Sequence, residues 1–304
     1  MKKSMTLTTA CTSLILAILL YLPGCNNLPS KKEKVLFTFA FMTDIHLEYG
    51  RNAVAGFKQA IAAVNKLHPD FVLTGGDLVA DALEQSWGKT DSLYKLYQET
   101  IKDFTMPVYN TMGNHEIYGI YNGSGADKEH PEYGEKMFEN RLGPSYYSFE
   151  HKGWKFMILN SPEDTKKGSY IGMIDSLQMN WIKEELRNTS AATPIILSTH
   201  IPLIMAFTQR YYSSTAPNDS ALVVINGKEV IDLFEGYNLK LILQGHIHTV
   251  EDIYIDGTHF LIGGAVSSAW WHGLHYGTEE GFMLLTVKEK SVGWEYVDYG
   301  WEAK

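Results

Sequence analysis

Five apolar runs of this 304-residue chain each end, within a few residues, in a short block of carboxylate, amide or imidazole side chains. The blocks are Asp44-Ile-His46, Gly75-Gly-Asp77, Gly113-Asn-His-Glu116, His200 and Gly245-His-Ile-His248. Open α/β sheets bind ligands beyond the carboxyl ends of their strands, so strands that finish this way aim their polar groups at one edge. Gly75, Gly76, Gly113 and Gly245 stand next to these groups, where a backbone turns sharply or approaches an ion closely.

The intervening pattern suits such a sheet. Val35–Thr43 and Phe71–Thr74 read as strands, and Asn52–Leu67 carries Val54, Phe57, Ile61 and Val64 at helical spacing before Pro69 stops it. Further helices are expected over Thr90–Phe104, Glu132–Asn140, Leu177–Leu186 and near Glu229–Phe234. Strands are expected over Pro107–Thr111, Ile195–Thr199 and Lys240–Leu243, with a hairpin made by Tyr146–Glu150 and Trp154–Leu159. The end is all strand: Glu251–Ile255, His259–Ile262, Phe282–Val287 and Val292–Val297. Strands separated by helices argue for βαβ units. The chain reads as one α/β domain over residues 35–298, with two packed mixed sheets flanked by helices and a short tail over 299–304.

With 45% apolar and 20% charged residues the chain can bury a full core. Its net charge of −9 repels a polyphosphate backbone, so general nucleic-acid binding is not expected. Residues 1–25 read as a targeting segment: Lys2 and Lys3, an apolar stretch from Thr9 to Leu22, then Leu22-Pro-Gly-Cys25. This end resembles a bacterial lipobox, which makes Cys25 the expected lipidated residue, residues 26–34 a tether, and the cell envelope the location. An uncleaved signal or an anchor helix is the other reading. The only other cysteine is Cys11, so no disulfide is expected.

The five blocks, in this order, resemble the signature of the calcineurin-like metallophosphoesterase superfamily: D-x-H, G-D, G-N-H-[ED], H and G-H-x-H. Arg141-Leu-Gly-Pro-Ser-Tyr-Tyr-Ser-Phe149 is similar to a segment common there between the third and fourth blocks. The resemblance implies a four-layer αββα sandwich and two divalent ions. It assigns Asp44, His46 and His248 to one ion, Asn114, His200 and His246 to the other, and Asp77 to both. Imidazole, carboxylate and amide ligands without thiolate suit Mn, Fe or Zn. A shared carboxylate would hold two ions roughly 3.5–4 Å apart. Phosphoester hydrolysis by in-line attack of a shared hydroxide is then implied, with His115 near the leaving oxygen and Glu116 orienting a neighbouring histidine. Ala80 and His46 occupy places where purple acid phosphatases differ, so no iron–tyrosinate is expected.

The ligands do not separate a phosphodiesterase from a phosphomonoesterase; the first block favours the diester. A metal-holding scaffold without turnover is the reading from another class. Trp270 and Trp271, in a segment similar to one found in a bacterial subset of the superfamily, either stack on a substrate ring or pack into the core. Tyr118, with Gly119, Tyr121, Gly123 and Gly125, lies in a loop read as a pocket rim or plain surface. His68, His130, His151, His259, His272 and His275 are expected to be solvated or satisfied in the core. The oligomeric state is open.

Overall fold

The computed structural model describes residues 33–303, so Cys25, the targeting segment and most of the tether lie outside it. The first half contains β1 (Val35–Met42), α1 (Ala53–Leu67), β2 (Phe71–Thr74), α2 (Trp87–Thr100), β3 (Val108–Tyr109) and α3 (Lys136–Leu142). The hairpin strands β4 (Tyr147–His151) and β5 (Trp154–Ile158) come next, then β6 (Pro162–Asp164), β7 (Tyr170–Gly172), α4 (Ser176–Arg187) and β8 (Pro194–Ser198). The last part holds α5 (Phe207–Tyr211), α6 (Gly227–Asp232), β9 (Asn238–Gln244), β10 (Val250–Ile255), β11 (Thr258–Gly263), β12 (Gly281–Lys288) and β13 (Val292–Asp298).

One sheet has the order β13-β12-β1-β2-β3, the other β10-β11-β9-β8-β5-β4. Both are mixed. β1, β2 and β3 run parallel, as do β5, β8, β9 and β11, while β12, β13, β4 and β10 are antiparallel to their neighbours.

Side-chain alternation explains the layering, because successive strand residues point to opposite faces. Phe39 and Phe41 of β1 and Phe71 and Leu73 of β2 meet Phe156, Ile158, Ile196, Leu241 and Leu243 of the second sheet. The alternate residues Ala40, Met42 and Val72 pack instead against Phe57, Ile61 and Val64 of α1, Tyr94 and Tyr97 of α2 and Phe138 of α3. On the far side Met157, Ile195, Leu197 and Ile242 cover Ile182 and Leu186 of α4 and Val230 of α6. Both faces of each central strand are therefore buried, as parallel strands require. This is the four-layer arrangement anticipated, and each buried Phe or Leu contributes about 1.5–3 kcal/mol to holding it.

Some boundaries move. Residues 130–134 are not helical, because Tyr118 and Gly134 pair as an antiparallel bridge with Gly134 at φ +72°, which delays α3 to Lys136. The β6–β7 ribbon and α5 are too short, at 3, 3 and 5 residues, to show a period in the sequence. The expected tail is not loose: Tyr299 is buried and donates its hydroxyl to Val266 O at 2.6 Å, and Gln59 of α1 donates to the carbonyls of Tyr299 and Gly300. Among the described residues no helix is long and apolar enough to cross a membrane.

Candidate metal centre

The blocks follow the carboxyl ends of β1, β2, β3, β8 and β9 and converge. Backbone pairing links their loops: Asp44 N donates to Gly76 O, His46 N to Asp77 O and Gly245 N to His200 O. Close approach explains two glycines, since a Cβ on Gly113 would overlap the Asp77 amide and carboxylate, and one on Gly245 would overlap Thr43 and Asp44. Asp44, His46, Asp77, His246 and His248 all adopt left-handed φ, between 45° and 73°. Such conformations cost non-glycine residues of order 1–3 kcal/mol each and persist where the surroundings impose them, most often at functional sites.

Two groups of donor atoms result. In the first, His248 Nε2 lies 3.3 Å from Asp44 Oδ1 and 3.0 Å from His46 Nε2. In the second, His200 Nε2 lies 3.2 Å from Asp77 Oδ2, 3.1 Å from Asn114 Oδ1 and 3.2 Å from His246 Nδ1. Asp77 Oδ2 also faces His46 Nε2 at 3.6 Å, so one oxygen addresses both groups. Asp77 Oδ1 is turned away and accepts from His115 N at 2.9 Å.

The backbone fixes which ring nitrogens point inward. A carbonyl can only accept, so His200 Nδ1 donates to Gly75 O at 2.7 Å and His248 Nδ1 to Ser268 O. Their Nε2 atoms then face carboxylate oxygens, a contact that a proton or a metal ion on the nitrogen relieves. His46 Nδ1 and His246 Nε2 are buried without hydrogen-bond partners, so nothing but packing and whatever binds the opposite nitrogen holds those rings.

Charge follows the same logic. Burial draws Asp77 upward, but His200 and His115 outweigh it and hold the carboxylate well below its usual range. Burial, then His115, keeps His46 well below the ordinary histidine value; burial, then His200, lowers His246 to about 4. Against the burial that lowers it, His200 is raised to about 9 by Asp77, and a metal ion held at this nitrogen would displace that proton. The donor set and its geometry fit divalent cations.

The neighbours divide. His115 is close enough to count as a donor with His46 and Asp77, yet its side chain is 23% exposed and its Nδ1 donates to Ala80 O, leaving Nε2 on the open side, 3.9 Å from Asp77 Oδ2. Glu116 touches no histidine, contrary to expectation. Its carboxylate accepts from the backbone N–H groups of Asp77, Leu78, Val79 and Gly113 at 2.7–3.1 Å, binding two ligand loops together. Burial and then Asp77 push Glu116 up to about 8, against the pull of those donors.

Trp270 is 39% exposed, with its ring 4.3 Å from that of His248 and 5.7 Å from that of His46, so it borders the centre. Trp271 does not. It is buried in the core, packed against Gly56 and Trp301, and its Nε1 donates to the Ile45 and His46 carbonyls at 3.1 Å. Tyr118 is likewise a core residue against Tyr133 and His130 rather than a pocket rim. Two bordering residues were not expected. His275 packs on His248 and Trp270 at 5.5 Å, and Tyr170 meets His246 at 6.3 Å. His275 lies only four residues beyond Trp271 of the tryptophan segment, a weak signal, and Tyr170 sits in the unrecognised ribbon.

Residues 37–250 match the family described as calcineurin-like phosphoesterase. The chain is 26% identical to the serine/threonine-protein phosphatase CPPED1 of Bos taurus, over 79% of this chain and 71% of that one. It is 24% identical to the 3',5'-cyclic adenosine monophosphate phosphodiesterase CpdA of Haemophilus influenzae, over 73% and 74% respectively. A dimetal phosphatase from Danio rerio shares the fold with a TM-score of 0.63, at 13% identity, over 86% of this chain and 96% of that one. Signature order, converging donors and matched span agree: the chain belongs to the calcineurin-like phosphoesterase family.

Proposed function

We propose that this protein hydrolyses phosphodiesters with the help of two divalent cations, of Mn, Fe or Zn type. The observation that carries the reading is Asp77 Oδ2, which faces His46 at 3.6 Å and His200 at 3.2 Å and so belongs to both donor groups. Asp44, His46, Asp77 and His248 would hold one ion, and Asp77, Asn114, His200 and His246 the other. When bound, such ions supply Lewis-acid charge and lower the pKa of water. His115, whose Nδ1–H is donated to Ala80, would in its imidazolium form hydrogen-bond the leaving oxygen through Nε2–H or give it that proton.

The wall around the centre supports a diester. Among the described residues every ion pair of Asp44 and Asp77 is with a histidine, and no lysine or arginine reaches them. Without a lysine or arginine against these carboxylates, the single charge of a diester is matched better than the double charge of a monoester. The names of the relatives include both a phosphatase and a cyclic-nucleotide phosphodiesterase.

Assaying Mn-loaded protein with bis-p-nitrophenyl phosphate and p-nitrophenyl phosphate tests this. Faster turnover of the diester, abolished by Asp77→Asn, is expected. A faster monoester reverses the preference, and no turnover of either leaves a metal-holding scaffold. A lipid anchor at Cys25 is a separate proposal, resting on Leu22-Pro-Gly-Cys25; an intact mass that retains Met1 without lipid would refute it.

A further inference from the structure

The candidate centre opens onto an exposed aromatic ledge that no part of the metal signature requires. From His248 the rings run to Trp270 at 4.3 Å and His275 at 5.5 Å, from His275 to Tyr276 at 4.8 Å, and from Tyr276 to Tyr211 at 4.5 Å. Five large side chains of these two segments, Trp270, Leu274, Tyr276, Tyr211 and Tyr212, are between 37% and 65% exposed. A contiguous exposed apolar patch beside a polar cleft marks a binding surface.

The ledge is also held rigid at a cost. Ser268, Trp270, Trp271 and Tyr276 all have φ between 45° and 68°, a region bulky residues avoid. Ser268 Oγ ties the loop by donating to Thr278 O at 2.7 Å and accepting from His275 N at 3.0 Å, while the buried Trp271 anchors it from below. Fixed rings of this kind suit stacking. The hydroxyls of Tyr211, Tyr212 and Tyr276 add hydrogen-bonding groups, which the heteroatoms of a base can use and an acyl chain cannot.

We propose that Trp270 and Tyr276 form a specificity subsite that receives a planar, ring-bearing alcohol of the phosphoester, of the nucleoside class, when its phosphate lies at the metal centre. This rests on the phosphoester reading above, deepening it to a substrate class. Calorimetry on the Mn-loaded protein with thymidine 5'-phosphate and with methyl phosphate tests it, because the two ligands share the phosphate and differ in the alcohol. Stacking on a protein ring makes the nucleotide bind about tenfold more tightly in the wild type. Trp270→Ala and Tyr276→Ala bring that ratio towards one, and Trp270→Phe restores most of it.

Trp270 rests on His248, so Trp270→Ala can weaken both ligands together; the ratio still reports the ledge. Tyr276 packs on no candidate metal ligand and decides the matter if the first variant folds poorly. Equal affinities in the wild type, or a ratio that both alanine variants retain, overturns the subsite. If neither phosphate binds the metal-loaded wild type, the phosphoester reading fails and the ledge with it. A tenfold wild-type ratio that the alanine variants abolish, without turnover of any ester, supports the ledge as a binding subsite and sinks the hydrolase reading alone.

Discussion

A glutamine in place of Glu116 keeps the shape of the side chain but turns one end into an N–H donor facing backbone N–H donors. Four such donors now end on its carboxylate, from Asp77, Leu78, Val79 and Gly113, so Glu116→Gln leaves at least one of them buried and unpaired. The expected loss is about 3 kcal/mol in chemical denaturation, with weaker metal binding, since the same bonds set the Asp77 loop. An unchanged midpoint would show that the four bonds contribute nothing net. Trp271→Ala should cost about 3–5 kcal/mol, because it empties a core site and releases the Ile45 and His46 carbonyls. Stability equal to the wild type would contradict its placement in the core. At this scale the donors were legible in the sequence, because imidazole and carboxylate side chains in fixed order have few uses besides metal binding. The partners behind them were not. Ser268 O and Gly75 O are backbone atoms, and any residue type supplies a carbonyl.

Helices α2 and α3 are joined by Arg141, whose guanidinium donates twice to Glu132 at 2.8 Å and once to Asp91 at 2.7 Å, with the three side chains only 13–16% exposed. This gives a structural task to the first residue of the Arg141–Phe149 segment. Hydrogen bonding to Arg141 lowers Glu132 from 4.5, with burial opposing; for Asp91 burial pulls upward but Lys95 and Arg141 outweigh it and lower it from 3.8. Depressed carboxyls stabilise the fold fully above their unfolded values and lose that contribution as pH falls through the folded ones. Arg141→Met is therefore expected to cost about 2 kcal/mol at pH 7, where it leaves Asp91 with Lys95 alone and Glu132 with Trp87 alone, and progressively less as pH drops below 4.5. Urea denaturation of both proteins across that range checks it, and a cost that stays constant with pH would refute the assignment. A strand with both faces buried, such as β2, was readable because it appears as a short apolar run ended by glycine. Short pieces fixed by distant contacts were not: the β6–β7 ribbon is held by packing of Tyr170 and by Gly172 N donating to Ser220 O, neither of which leaves a local pattern.

For the whole molecule, the donors come from the ends of strands in both sheets, so neither sheet can unfold without dismantling the centre. Cation binding is then linked to the global transition rather than to a local loop. At 100 times the dissociation constant, a ligand that binds only the folded state adds about 2.7 kcal/mol. For a domain of this size that is a rise of roughly 5–10 °C in melting temperature. We expect protein dialysed against a chelator to melt lower by about that amount, and Mn²⁺ to restore it. Asp77→Asn should remove most of the metal-dependent difference, because the lost carboxylate charge serves both donor groups. Near-ultraviolet signals from Trp154, packed between the sheets, and far-ultraviolet signals from the helices should move together in both states. If the chelator changes only the near-ultraviolet transition, the cations brace the loops and not the sandwich. If it changes neither, the converging lone pairs are relieved by protons alone and the metal assignment falls.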